Sequence, residues 1–344
     1  MIKKKLGILA LALAVASANA AGCNSVKTES DSEESASVSE NNYDTPSTGK
    51  LSVVCTIFPE YDWVKEIVGD HSDNVEVTYL LDSGVDLHNY QPTTDDIVKI
   101  SACDLFIYVG GESDKWAEEA LAQSANKDMK AINLMELLGD SAKEEELKEG
   151  MQEEEEADEA EEEEEVEYDE HVWLSVKNAK IICAEIEDKI ETIDSANASD
   201  YRSNLDSYVS ELDELDNKFS TLAGSAKEKT LIFGDRFPFR YFVDDYGLDY
   251  FAAFIGCSAE SEASFKTIKF LSDKVKELDC KTIFTLENSN KDIADSIITN
   301  SGKNDVKIAE LNSLQSVSKN DISNGVSYIS LMQKNYDVLA SALK

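Results

Sequence analysis

The sequence predicts an α/β protein made of two parallel-sheet β/α lobes joined by long helices. Three observations carry that reading. Residues 51–134 alternate short, nearly continuous apolar runs with helix-patterned segments, the signature of a parallel sheet covered on both faces. Residues 230–343 repeat the alternation with the same number of strands. Between them, residues 178–222 show apolar side chains only at helical spacing, so helices must connect the two halves.

In chain order, strands are expected at 51–57, 75–81, 105–109 and 130–134, with helices at 61–68, 93–103 and 115–123. Gly69 ends the first helix and Gly110-Gly111 follow the third strand. The helix at 93–103 opens on Pro92, with Thr93, Thr94, Asp95 and Asp96 in its first turn. A proline near N1 has its φ preset, and acids there meet the positive end of the helix dipole. Helices follow at 178–193 and 198–222. In the second of these Tyr201, Leu205, Tyr208, Leu212, Leu215 and Phe219 form one stripe. The second lobe is read as strands at 230–233, 250–255, 282–286 and 306–311 and helices at 238–246, 264–278, 291–299 and 328–343.

The chain has 344 residues and a formal net charge of −38. A charge of that sign excludes nucleic acid as a partner, since phosphates need basic patches. Much of it is local, because residues 144–170 hold eighteen carboxylates against Lys148 alone. Like charges at that density repel, and a disordered loop is expected over 144–170, with the alternative of weak cation collection.

At the N-terminus Lys3, Lys4 and Lys5 precede a short apolar run, and Ala20, Ala21 and Gly22 lead into Cys23. This reads as a signal peptide over 1–22 with a bacterial lipobox, placing a lipid on Cys23 and the mature protein at the outer face of the cell membrane. Residues 23–50 are polar and acidic, a disordered tether. The lobes are then assigned to 51–174 and 225–344, with connecting helices over 175–224. The remaining cysteines, Cys55, Cys103, Cys183, Cys257 and Cys280, lie in apolar contexts without a Cys-x-x-Cys pair. They read as small core residues, with room for one disulfide and no indication of a thiolate metal site.

Only three histidines are present. His71, between Asp70 and Ser72, reads as a surface residue. His88 sits just past the end of a predicted strand, where ligands of α/β sheets bind. His171 follows the acidic run. Neutral imidazoles are divalent-metal ligands, and His88 and His171 are expected to converge on one cation. Asp86 and Asp169 are candidates to orient them. Trp63, Trp116 and Trp173 read as packing.

The segments from Gly84 to Pro92, from Ala102 to Gly110 and from Asp169 to Leu174, in this order, resemble the zinc- and manganese-binding solute receptors of bacterial ABC importers. The resemblance covers residues 51–344. It implies two four-stranded lobes joined by a long rigid helix, with a ligand cleft between the lobes. It also implies an extracytoplasmic monomer that binds zinc, or next manganese, and delivers it to an ABC permease. His88 and His171 fall on the family's first two metal ligands. The third ligand position falls on Arg236, which cannot ligate a cation because it stays protonated. Asp235 and Glu287 are the candidates to replace it, with Glu260 or Glu262 behind them. The fourth position falls near residues 312–315, where no carboxylate stands.

Two other functions are compatible with the residues. A receptor of the same fold whose cleft has drifted to a small anion or metal chelate would use Arg236 as its grip. A metal-dependent hydrolase would need an open coordination position, but the sequence holds no His-Glu-x-x-His, Gly-x-Ser-x-Gly or phosphate loop. No motif supports an adhesive role.

Overall fold

The computed structural model describes residues 49–152, 167–258 and 262–343. Strands β1 (Leu51–Cys55), β2 (Val75–Tyr79), β3 (Leu105–Tyr108) and β4 (Lys130–Asn133) form one sheet in the order β2-β1-β3-β4. Strands β5 (Thr230–Phe237), β6 (Asp249–Ile255), β7 (Thr282–Leu286) and β8 (Lys307–Leu311) form another in the order β6-β5-β7-β8. Every pairing is parallel. The fold class is the expected one, with the same strand order in both lobes. Parallel pairing follows from the crossover helices, which cover both faces and make the inner strands continuous apolar runs.

The helices are α1 (Phe58–Val68), α2 (Thr94–Ala102), α3 (Lys115–Ala122), α4 (Leu134–Leu138), α5 (Val176–Ile193), α6 (Ala198–Ser225), α7 (Arg240–Tyr246), α8 (Phe265–Glu277), α9 (Asp292–Ser301), α10 (Lys319–Ser323) and α11 (Tyr328–Ala342). The short α4 and α10 have too few turns to show a period, and sequence reading passes over them. Thr93 is the cap of α2, its hydroxyl accepting from the Asp96 N–H at 3.2 Å while Asp96 accepts from the Thr93 N–H at 3.0 Å. Pro92 therefore stands before the cap and not in the first turn. Strand β5 runs four residues beyond the expected 233, with its register broken between Phe233 and Arg236. That irregularity carries Asp235 and Arg236 to the mouth of the second sheet.

The two lobes share one core. The α6 stripe Tyr201, Leu205, Tyr208, Leu212, Leu215 and Phe219 is buried together with side chains of both sheets, α5 and α11. The Trp63 ring of the first lobe meets Tyr328 of α11 at 5.2 Å between centroids, and the Asp62 carboxylate accepts from the Tyr328 N–H at 2.8 Å. A smaller core, including Ile232, Leu271 and Ile297, lies within the second lobe.

The acidic stretch differs from expectation at its ends. Glu144 and Tyr168 form an antiparallel bridge. The Gln152 N–H donates to the Ala253 carbonyl at 2.9 Å, and Met151 is buried in the shared core. Residues 144–152 and 167–170 are thus ordered and run onto the second lobe, because backbone pairing there outweighs the repulsion among the acids. Residues 153–166, the signal peptide, Cys23, the tether up to residue 48 and Glu260 lie outside the described residues. Among those described, the five cysteines are free, and no helix is long and apolar enough to cross a membrane.

Burial pushes the Glu60 carboxyl up to about 8, with Asp114 adding to it, while Thr56 and Ile57 amides oppose. Burial likewise takes Asp62 and Asp114 up to about 7. Carboxyls raised in the folded state bind more protons than the unfolded chain, so they contribute stability at low pH that is lost as pH rises through the folded values. The melting temperature is expected to fall by more than about 3 °C between pH 5.5 and pH 8. Glu60→Gln should flatten part of that slope. Calorimetric melting across this range checks it, and a wild-type melting point that rises toward pH 8 would contradict it.

Candidate metal centre

Each histidine is set by local structure before the lobes meet. The chain leaves β2 and turns through Asp86, which caps a single helical turn at Leu87–Asn89 by accepting from the His88 N–H at 3.1 Å. The His88 ring is held from its Nδ1 side by the Ser113 hydroxyl at 2.7 Å, on the loop that follows β3. Glu170 braces that loop, accepting from the Ser113 N–H at 2.9 Å, and its other oxygen stands 3.6 Å from His88 Nδ1. Gly111, with φ near +84°, is needed here, since a Cβ would come within 2.5 Å of Glu170 Oε1.

His171 is completely buried at the entrance to α5. Its backbone N–H donates to Asp169 Oδ1 at 2.8 Å, and its ring Nδ1 donates to the same oxygen at 3.0 Å. A carboxylate only accepts, so the proton sits on Nδ1. The Tyr241 hydroxyl donates to the Asp169 carbonyl at 2.7 Å, fixing this turn against α7. Trp173 packs on the His171 ring at 5.1 Å and donates its indole N–H to the Ser313 carbonyl at 2.9 Å. It is a packing residue, and it also positions the imidazole. Gly256 lies against the other side, where a Cβ would stand 3.1 Å from the ring.

With both Nδ1 atoms engaged, the two Nε2 atoms face each other at 3.1 Å. The sequence expectation that these rings converge matches this geometry. Burial above all, then the charge of His171, lowers the His88 pKa to about 3; Asp86 opposes and Arg236 reinforces. At His171 burial disfavours the charge, but Asp169 and Glu170 outweigh it and the pKa is raised. The pair therefore carries at most one positive charge near neutrality, and at least one Nε2 offers a lone pair.

The other expected site residues are held elsewhere. Arg236 does not enter the space between the rings; it donates to Asp86 Oδ2 at 2.9 Å and to the Ser258 carbonyl at 3.5 Å. Since Asp86 belongs to the first lobe and Arg236 to the second, this pair ties the lobes beside His88. Asp86 orients the His88 backbone and not its ring, a correction to the expected role, because Ser113 reaches Nδ1 first. Asp235 accepts from the backbone N–H groups of Arg236 at 2.9 Å and Leu286 at 3.1 Å. Glu287 accepts from the Ser313 amide at 2.7 Å and its hydroxyl at 2.6 Å. Both carboxylates thereby fix loops of the second sheet. Gln315 is buried in the loop that Glu287 holds, and its Oε1 has no partner among the described residues. His71 lies outside the cleft, paired with Asp200 at 2.8 Å.

The residue that sequence reading missed is Cys257. Its Sγ and one ring nitrogen each of His88 and His171 lie within 4.8 Å of one another. Burial first, then Asp169 and Glu145, push the thiol well above its ordinary pKa. The signal was available, because Cys257 follows Gly256 past the carboxyl end of β6, the same position rule that singled out His88. A cavity of about 350 Å³ opens onto the group, lined by His88, Cys257, Glu112, Glu145, Glu167 and Glu170 among others. Its acids supply a field that draws cations inward.

Residues 53–342 match the family model described as zinc-uptake complex component A, periplasmic, ZnuA. The chain is similar to the zinc-binding protein AdcA of Streptococcus pyogenes serotype M18, at 28% identity over 294 residues, covering 85% of this chain and 56% of that protein. It thus spans little more than half the length of that relative. It is also similar to the high-affinity zinc uptake system protein ZnuA of Bacillus subtilis, at 34% identity over 295 residues, covering 86% and 88%. Among solved structures it is similar to the metal-dependent lipoprotein YcdH of Bacillus subtilis, with TM-score 0.67, 28% identity and coverage of 86% and 99%. The Zn(II)-bound ZnuA-like domain of Streptococcus pneumoniae AdcA gives TM-score 0.66, 26% identity and coverage of 86% and 99%.

Proposed function

This chain belongs to the ZnuA family of zinc-uptake complex components, and from that premise we propose that it is an extracytoplasmic receptor that binds zinc and hands it to an ABC permease. The observation that carries the reading is the pair of imidazole Nε2 atoms 3.1 Å apart in the cleft. Nitrogen ligands at about 2.0–2.1 Å in a tetrahedral zinc shell stand about 3.3 Å apart, so the rings need almost no movement to share one ion. His88 and His171 are the proposed ligands. Asp169 and Ser113 aim them from behind, the arrangement that gives metal-bound imidazoles their tautomer and direction. Asp235 and Glu287 support the loops of the second sheet.

Zinc is favoured over manganese because imidazole suits it and both proposed ligand atoms are nitrogens. The acids around the cavity, with the run over 153–166, would collect cations before the tight site takes one. Lipid on Cys23 would hold the chain at the membrane beside its permease. On this reading the protein is no enzyme, since it releases its cargo unchanged. The drifted-receptor alternative is disfavoured by Arg236, whose guanidinium already pairs with the Asp86 carboxylate and the Ser258 carbonyl.

Titration calorimetry of the metal-free chain with zinc tests the proposal. The expected result is one tight equivalent per chain, with manganese weaker. Binding of a small anion with no response to either metal would hand the site to the drifted-receptor reading.

A further inference from the structure

We propose that Cys257 supplies a thiolate ligand from the second lobe, making the centre a two-histidine, one-cysteine site selective for zinc over manganese. This rests on the metal-receptor reading above and names the chemistry of its third donor. Four observations lead to it. The Cys257 sulfur and the two histidine nitrogens are mutually within 4.8 Å, the only such grouping of His, Cys, Asp and Glu donors among the described residues. Cys257 follows β6, whereas His88 follows β2 of the other sheet, so the three donors straddle the cleft. The carboxylates that could have served instead, Asp235 and Glu287, are spent on backbone and serine donors. Arg236 points to Asp86.

The chemistry balances simply. The thiol S–H breaks, its proton leaves to solvent, and the sulfur pair forms the bond to zinc at about 2.3 Å. Two neutral imidazoles and one thiolate leave the bound ion with a single net positive charge. The acid-lined cavity beside His88 and Cys257 would supply a fourth ligand. Thiolate is a soft donor that holds zinc well and manganese poorly, so it adds to the selectivity the imidazoles already give. Because the donor comes from the second lobe, parting the lobes removes it and loosens the ion.

Cobalt(II) reports the ligand directly, since a thiolate bound to it adds a charge-transfer band in the near ultraviolet to the visible bands of the ion. The full chain, with its other cysteines in place, is expected to show that band with cobalt, and Cys257→Ser to lose it while still binding cobalt. Zinc affinity in Cys257→Ser should fall by about tenfold or more, with manganese affinity little changed. Cobalt bound without the band, or a band that persists in Cys257→Ser, overturns the thiolate ligand and leaves the receptor reading standing. If neither protein binds cobalt or zinc, both readings fail together.

Discussion

Zinc at about one hundred times its dissociation constant is expected to raise the melting temperature of the wild-type chain by about 5 °C, and His88→Ala with His171→Ala to abolish the rise. At that excess a ligand binding only the folded state contributes about 2.7 kcal/mol, and about 2 °C accompanies each kcal/mol in a domain of this size. His171 is buried and braced by Asp169, so its loss alone also removes core packing. His88→Ala by itself therefore serves as the control with less effect on the core. The rise should also shrink as pH falls, because protons compete for the imidazoles. Its raised pKa makes that competition at His171 begin at a higher pH than in free imidazole. Differential scanning fluorimetry with and without zinc makes the comparison. A double variant that keeps the full zinc-dependent rise would place the ion elsewhere.

Replacing Arg236 by histidine should tighten zinc binding by about tenfold or more. Arg236 stands where the family resemblance puts a metal ligand, and its guanidinium adds positive charge next to His88. Arg236→His removes that repulsion and frees Asp86, which currently holds the guanidinium at 2.9 Å. It also sets a nitrogen donor at the break in β5, beside Asp86. Competition against a chromophoric chelator measures the change. Unchanged or weaker zinc binding in Arg236→His would show that position 236 does not reach the ion.

The element plan was legible because it is written in local pattern. The α6 stripe has helical period, β7 is a compact run whose observed limits equal the expected ones, and Gly69 stops a helix that the structure stops there. His88 was legible for a related reason, since the end of a strand in a parallel sheet is a place where ligands meet protein. The partners of that histidine were not legible. Ser113 lies 25 residues away and His171 lies 83 away, and no period or capping rule connects them.

The sequence by itself determined two β/α lobes, the helices between them and two histidines suited to one ion, because hydrophobic period and strand order act over short spans of chain. Only the tertiary structure decided what surrounds those two imidazoles. It turned Asp235 and Glu287 onto backbone and serine donors, paired Arg236 with Asp86, and brought Cys257 beside the imidazoles. Each of these outcomes depends on which buried polar group finds a partner first, and that competition is settled in space between distant residues.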